Sequence, residues 1–211
     1  MAVDEYRSEK IVVRNNGERC IHSRYCVLGR PDVFVPNVDG PWIKPDTHPP
    51  DTVAAQIMLC PSGALAFQRL DGGAEEQPPG VNTVRVWENG PLAFNAELNI
   101  AGDSSSLRAT LCRCGKSKNK PYCDHSHVEA GFAATGEPEG KTSEVPAVRN
   151  GPLKITAQKN GSLMVEGALE ICSASGRTLS RESKTWLCRC GASSEKPFCD
   201  GTHKKIGFAT E

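Results

Sequence analysis

Cys112-Arg113-Cys114, eight further residues and Cys123-Asp124-His125-Ser126-His127 return later in the chain as Cys188-Arg189-Cys190, eight residues and Cys199-Asp200-Gly201-Thr202-His203. Both copies read C-x-C-x8-C-x3-H. Alternate residues of an extended segment point to one side, so Cys112 and Cys114 present two sulfurs together, as do Cys188 and Cys190. Residues four apart meet where a turn enters a helix, which pairs Cys123 with His127 and Cys199 with His203. Asp124 and Asp200 stand where a carboxylate accepts backbone N–H bonds at the start of such a turn. Three soft thiolates and one imidazole per copy suit zinc or an iron–sulfur cluster. Zinc sites usually open on C-x2-C, whereas both copies here open on C-x-C.

At these residues the sequence resembles the CDGSH iron–sulfur domain family, whose pattern is C-x-C-x2-(S/T)-x3-P-x-C-D-G-(S/T)-H. Ser117, Pro121, Cys123, Asp124, Ser126 and His127 fill it in the first copy; Ser193, Pro197, Cys199, Asp200, Gly201, Thr202 and His203 fill it in the second. His125 replaces the motif glycine and is not expected to be a ligand. A left-handed backbone at that position would strain a histidine slightly, although His is among the commoner non-glycine residues at positive φ. The resemblance implies a [2Fe-2S] cluster in each copy, with two Cys on one iron and Cys plus His on the other. It also implies a unit too small to bury its own sheet, which pairs with a second.

Composition agrees with small metal-stapled modules. Among 211 residues there are 20 Gly and 15 Pro and only 6% aromatics, little material for one large apolar core, but ten cysteines. Met1 to Lys10 is polar and charged, and no apolar run approaches the roughly 18 residues of a membrane span. The expectation is a cytoplasmic protein with reduced thiols that serve as ligands rather than disulfides. A formal net charge of zero offers no handle for nucleic acid or an anionic membrane, so neither is expected as a partner. No nucleophile with a base, phosphate-binding glycine loop or dinucleotide fingerprint stands out, and no enzyme is expected.

Residues 5–70 form the first module. Ile11-Val12-Val13 reads as a buried strand before the Asn15-Asn16-Gly17 turn, and a short helix lies in the region of Ile21 to Leu28, ended by Gly29 and Pro31. Pro31 to Pro50 reads as irregular loop. A helix from Thr52 to Leu59, N-capped by Asp51, turns Val53, Ile57 and Met58 inward, and Ala64 to Phe67 is a strand able to pair with Ile11 to Arg14. Cys20, Cys26 and the Cys60-Pro61-Ser62-Gly63-Ala64-Leu65 box are similar to the divergent mono-cluster, ferredoxin-like family. That resemblance implies one cluster. With three thiolates it is a [3Fe-4S] or a labile [4Fe-4S] cluster; the alternative is a degenerate module whose cysteines pack as small hydrophobes.

Residues 71–80 are a linker by composition. The first repeat takes 81–136 and the second 145–211, with Asn150-Gly151-Pro152-Leu153 matched to Asn89-Gly90-Pro91-Leu92. Trp87 and Trp186 are expected in the core and Cys172 as a packed thiol. The fold class expected is α+β: a small ferredoxin-like domain, then a duplicated β-rich CDGSH domain folded as an intramolecular pseudo-dimer, monomeric in solution. The expected function is electron transfer with a redox partner protein. The alternatives are cluster storage, redox sensing or delivery to an apo-acceptor, and a structural zinc module.

Overall fold

The computed structural model of the protein describes residues 3–101 and 103–210, with backbone alone at 103–105. The first two residues of the polar opening stretch and Glu211, the expected end of the second repeat, lie outside the described residues. The chain is mostly β with few, short helices, and it divides into one unit ending at Gln77 and another beginning at Pro78.

The first unit is a three-stranded antiparallel sheet in the order β1 (Asp4–Arg7), β2 (Ile11–Asn15), β3 (Leu65–Arg69). Ile11, Val12 and Val13 are buried because β2 is the central strand, paired with β3 from Ile11 opposite Arg69 to Asn15 opposite Leu65. Strand β1 had no sequence signal: its four residues are polar or half-buried and show no apolar alternation. Helix α1 (Tyr25–Gly29) precedes an irregular segment with one bridge, Phe34 to Ile43, and then helix α2 (Pro50–Met58). Helix α2 starts at Pro50 rather than Thr52, since proline's fixed φ and missing N–H suit the first helical turn. Asp51 is therefore no cap; its carboxylate binds Arg69 Nη1 at 2.5 Å. Val53 and Ile57 face the core as expected, whereas Met58 is exposed and Gln56 turns in to donate to the Tyr25 carbonyl.

The second unit holds β4 (Thr83–Val86), β5 (Leu92–Ile100), β6 (Asp103–Leu111), β7 (Pro152–Ala157), β8 (Leu163–Cys172) and β9 (Thr178–Leu187) in one sheet. Two antiparallel hairpins, β5–β6 and β8–β9, are joined by the short strands. β4 is antiparallel to β5 and parallel to β8, while β7 is antiparallel to β8 and parallel to β5. Each short strand is thus shared by both repeats. One apolar core results, with Phe94, Leu98 and Leu111 from the first repeat against Leu153, Val165 and Leu187 from the second.

The repeat correspondence differs from the one read off the Asn-Gly-Pro-Leu words. Asn150 to Leu153 lead into β7, which is the counterpart of β4. The counterpart of the Glu88-Asn89-Gly90 turn is Lys159-Asn160-Gly161: Asn89 and Asn160 both adopt left-handed φ, 50° and 51°, and each accepts through Oδ1 from the backbone after its motif, at Ala134 and Thr210. The extra length of the second copy is smaller than that alignment implied. It amounts to five residues in the hairpin, Leu163–Leu187 against Leu92–Leu111. Trp186 is 44% exposed, because Thr185 and Leu187 take the inward face of β9 and alternation sends the indole out.

Leu153 is fully buried on β7, between the hairpins. Leu153→Ala should cost about 2–5 kcal/mol, and hydrogen exchange should show protection falling together in β5 and β8. Loss confined to β7 and β8 would mean that the repeats fold separately.

Candidate metal centres

In each repeat the backbone assembles the donors by folding the chain back on its own strand. After β6 the chain makes a loop and returns so that Leu111 bridges Tyr122; the Cys112 amide donates to Pro121 O at 2.8 Å and the Cys123 amide to Thr110 O at 2.9 Å. After β9 the same pattern recurs: Leu187 bridges Phe198, Cys188 N donates to Pro197 O at 2.8 Å and Cys199 N to Trp186 O at 2.9 Å. Ser117 and Ser193 fasten the loops, donating to Tyr122 O and Phe198 O, both at 2.7 Å.

Asp124 and Asp200 fix the turn into the His. Asp124 accepts from the amides of Lys118 and Ser126, and Asp200 from those of Ser194 and Thr202. Each carboxylate thus ties the far side of the loop to the first turn of α3 (Ser126–Glu129) or α4 (Thr202–Lys205). Burial opposes ionisation of Asp124, but those amides outweigh it and hold its pKa below the ordinary value. The amides of Ser194 and Thr202 hold Asp200 well below. His125 and Gly201 cap the two helices in the left-handed region, at φ 74° and 83°, so the strain foreseen for a histidine in the glycine position is present.

The donors then stand in pairs. Cys112 Sγ and Cys114 Sγ are 3.7 Å apart, Cys188 Sγ and Cys190 Sγ 3.8 Å, Cys123 Sγ and His127 Nδ1 3.4 Å, and Cys199 Sγ and His203 Nδ1 3.3 Å. A tetrahedral metal with bonds of about 2.3 Å to sulfur and 2.0 Å to nitrogen separates its donors by roughly 3.7 Å and 3.5 Å. Each pair therefore fits one edge of such a metal, and the soft donor set suits iron or zinc. Among the described residues no group of three or more His, Cys, Asp or Glu side chains is placed to hold a single ion. The hydrogen bond from Cys114 draws the buried Cys112 thiol down, and the same contact with burial pushes Cys114 up. Burial raises Cys123 to about 12 and lowers His127. Loading a metal must therefore displace thiol protons, and His127 is ready as the neutral ligand.

Two functional residues were passed over in the sequence, the arginines inside the C-x-C pairs. Arg113 is 1% exposed and donates to the carbonyls of Gly90, Trp87, Ala134 and Thr135. Arg189, 3% exposed, donates to Gly161 and Gln158. Burial pushes Arg113 down to about 10 and lowers Arg189, yet Arg113 stays charged near neutrality and carbonyl dipoles solvate it. Each charge also favours a cysteine of the other motif, Arg113 attracting Cys188 and Arg189 attracting Cys112. The signal available was the identical residue between the ligands of both copies.

The motifs meet directly where Cys114 bridges Cys190 in antiparallel pairing. The following Gly115 and Gly191 have φ of 78° and 85°, and a Cβ on either would lie 2.6 Å or 2.5 Å from the other motif's Cys carbonyl oxygen. Only glycine fits there.

In the first unit Cys20 follows a 3-10 turn (Gly17–Arg19), Cys26 lies in α1 and Cys60 follows α2. All three line one cavity of about 680 Å³, together with His22, Ser23, Arg24 and Ser62. Burial raises the Cys20 and Cys26 thiols, partly offset by the His22 amide at Cys20 and the Val27 amide at Cys26. None of the ten cysteines is in a disulfide, and Cys172 is a packed thiol on β8.

A family described as iron-binding zinc finger, CDGSH type, matches residues 85–128 and again 160–204, and a family described as divergent 4Fe-4S mono-cluster matches residues 6–70. The chain is similar to the uncharacterized protein YjdI of Escherichia coli strain K12, with 44% identity over 64 residues, 30% of this chain and 82% of the relative. The protein of the same description in Escherichia coli O157:H7 matches to the same extent.

Asp124→Ala and Asp200→Ala should each speed amide exchange at their partners, Lys118 and Ser126 or Ser194 and Thr202, while leaving the other loop unchanged. Both carboxylates have lowered folded pKa values, so their contribution is complete above the unfolded value near ~4 and fades as pH falls through the folded one. After correction for intrinsic rates, protection of these four amides should be flat from about pH 5 upward and fall only below about pH 4.

Proposed function

We infer that this chain, which belongs to the CDGSH-type iron-binding family and carries a divergent 4Fe-4S mono-cluster domain ahead of its two CDGSH motifs, is an iron–sulfur electron carrier rather than an enzyme. The observation that carries the reading is the pairing of the donors. Two edge-spaced pairs per motif, not closed into a single group, suit two adjacent irons better than one ion. Cys112 and Cys114 would hold one iron of a [2Fe-2S] cluster, with Cys123 and His127 Nδ1 on the other; Cys188 and Cys190, with Cys199 and His203 Nδ1, repeat the set. Such a cluster, when bound, supplies a one-electron couple that a neutral imidazole ligand raises relative to four thiolates. His127 and His203, each turning Nδ1 to a cysteine, keep Nε2 as the nitrogen that carries a proton. Cys20, Cys26 and Cys60 would hold a third cluster, [3Fe-4S] or [4Fe-4S], in a ferredoxin-like unit.

The crossed sharing of β4 and β7 supports an intramolecular pseudo-dimer that is monomeric in solution, since each repeat already supplies its partner's missing strand. Thiols without disulfides fit a reducing cytoplasm. Lys116, Lys118, Lys120, Lys196, Lys204 and Lys205 flank the motifs and suit an acidic redox partner, with neither nucleic acid nor membrane required. A second reading, storage and delivery of clusters to an apo-acceptor, is favoured by the half-exposed Cys190 and Cys199.

Protein purified without oxygen should contain iron and acid-labile sulfide. About four irons per chain correspond to the two motifs alone, and about seven or eight to a loaded first unit as well. Colourless protein free of sulfide would overturn the reading. His127→Cys and His203→Cys should each lower one potential by roughly 100 mV, a fraction of the gap between two-His and all-thiolate [2Fe-2S] centres; unchanged potentials would remove the histidines from the ligand set.

A further inference from the structure

The two motifs share a backbone, yet they are not equally closed. Cys112 and Cys188 are both fully buried. The remaining thiols differ: Cys114 and Cys123 are 7% and 3% exposed, whereas their counterparts Cys190 and Cys199 are only half-buried. Beside the histidines the difference comes from one side chain. His125, at φ 74°, places its ring edge-on to His127, with centroids 5.0 Å apart and planes at 74°. Gly201 has the same left-handed backbone, and a Cβ there would meet nothing within 4 Å, so this flank of His203 is open. The first motif therefore carries a bulky ring in a conformation that glycine adopts without cost, and that ring packs against one side of His127. A strained residue at a binding site is a reason to look for the role that retains it.

We propose that the two motifs divide the work: the second exchanges its metal group with partner proteins, the first retains its own, and His125 is the residue that closes the first. This rests on the iron–sulfur reading above. Exchange at the second motif is ligand substitution without electron transfer. Incoming thiols each give up a proton as their sulfurs replace first Cys199 Sγ and His203 Nδ1 and then Cys190 Sγ and Cys188 Sγ; each departing thiolate takes up one proton, His203 leaves as the neutral imidazole it was, and the remaining proton passes to solvent. The edge formed by Cys199 and His203 is the one a partner reaches. At the first motif Cys123 is buried and His127 is flanked by the His125 ring, so the same approach is obstructed. Retention and exchange on one chain let a fixed centre pass electrons while its neighbour is loaded or emptied.

The test is loss of visible absorbance when anaerobically purified protein meets an excess of iron chelator at neutral pH. Two phases are expected from the motifs, separated by roughly tenfold, the low end of what residues beyond the ligands contribute to metal retention. His125→Gly should bring the slow phase up to the fast one, and Gly201→His should slow the fast phase. A phase belonging to the first unit is untouched by either substitution. As a readout independent of any metal group, brief alkylation of the metal-free wild-type chain, followed by peptide mass spectrometry, should label Cys190 and Cys199 ahead of Cys114 and Cys123. Equal loss rates from both motifs, a slow phase indifferent to His125→Gly, or equal labelling would overturn the division while leaving coloured, sulfide-containing protein. Absence of colour and sulfide at the outset would instead remove the reading on which it rests.

Discussion

The second unit is built around two buried cations held by backbone carbonyls. Arg113 and Arg189 each sit between the two cysteines of a C-x-C pair, almost fully withdrawn from water, and are solvated by the carbonyls of the preceding turn. A guanidinium can be held this way because its donors are spread in a rigid fork, and carbonyl dipoles aimed at it replace the lost water. Solvated by dipoles, it keeps its full charge for the thiolates, including the first cysteine of the opposite motif. With a metal bound, the three cysteine sulfurs of each motif would be anionic and repel one another, and the arginines supply the countercharge from both sides.

This arrangement makes the two sites one object. The Cys114–Cys190 bridge, with Gly115 and Gly191 pressed against the opposite carbonyls, leaves no room for either motif to shift alone. Below it, β4 and β7 each complete the other repeat's hairpin, and the apolar core is drawn from both halves. A repeat of this size buries too little apolar surface to stand by itself, so sharing strands is a physical requirement of the duplication. Within that common frame the sites still differ, since His125 sets a ring edge-on to His127 where Gly201, with the same left-handed backbone, sets nothing beside His203.

Much of the candidate site was legible in the chain. Two copies of a spaced Cys and His pattern identify eight donors, and alternation plus a four-residue turn suffice to pair them, because donor geometry at such short range is local. Helix α2 and strands β2 and β3 were legible for the same reason. The failures were all decided by tertiary partners. The Asn-Gly-Pro-Leu words looked like corresponding turns, yet Lys159-Asn160-Gly161 is the true counterpart, as only the contacts of Arg189 and Thr210 reveal. Trp186 and Met58 are apolar and exposed, since strand alternation and helix phase, not residue type, set which way they face.

The sequence alone determined that this protein has two equivalent four-donor motifs and a third group of cysteines near its start, because ligand type and spacing are written residue by residue. What the tertiary structure decided is how those motifs stand to one another: back to back across Cys114 and Cys190, sharing strands, crossed by two buried arginines and unequally exposed. Contacts between residues some 76 positions apart, such as Cys114 with Cys190, depend on which faces pack together, and no local pattern carries that information.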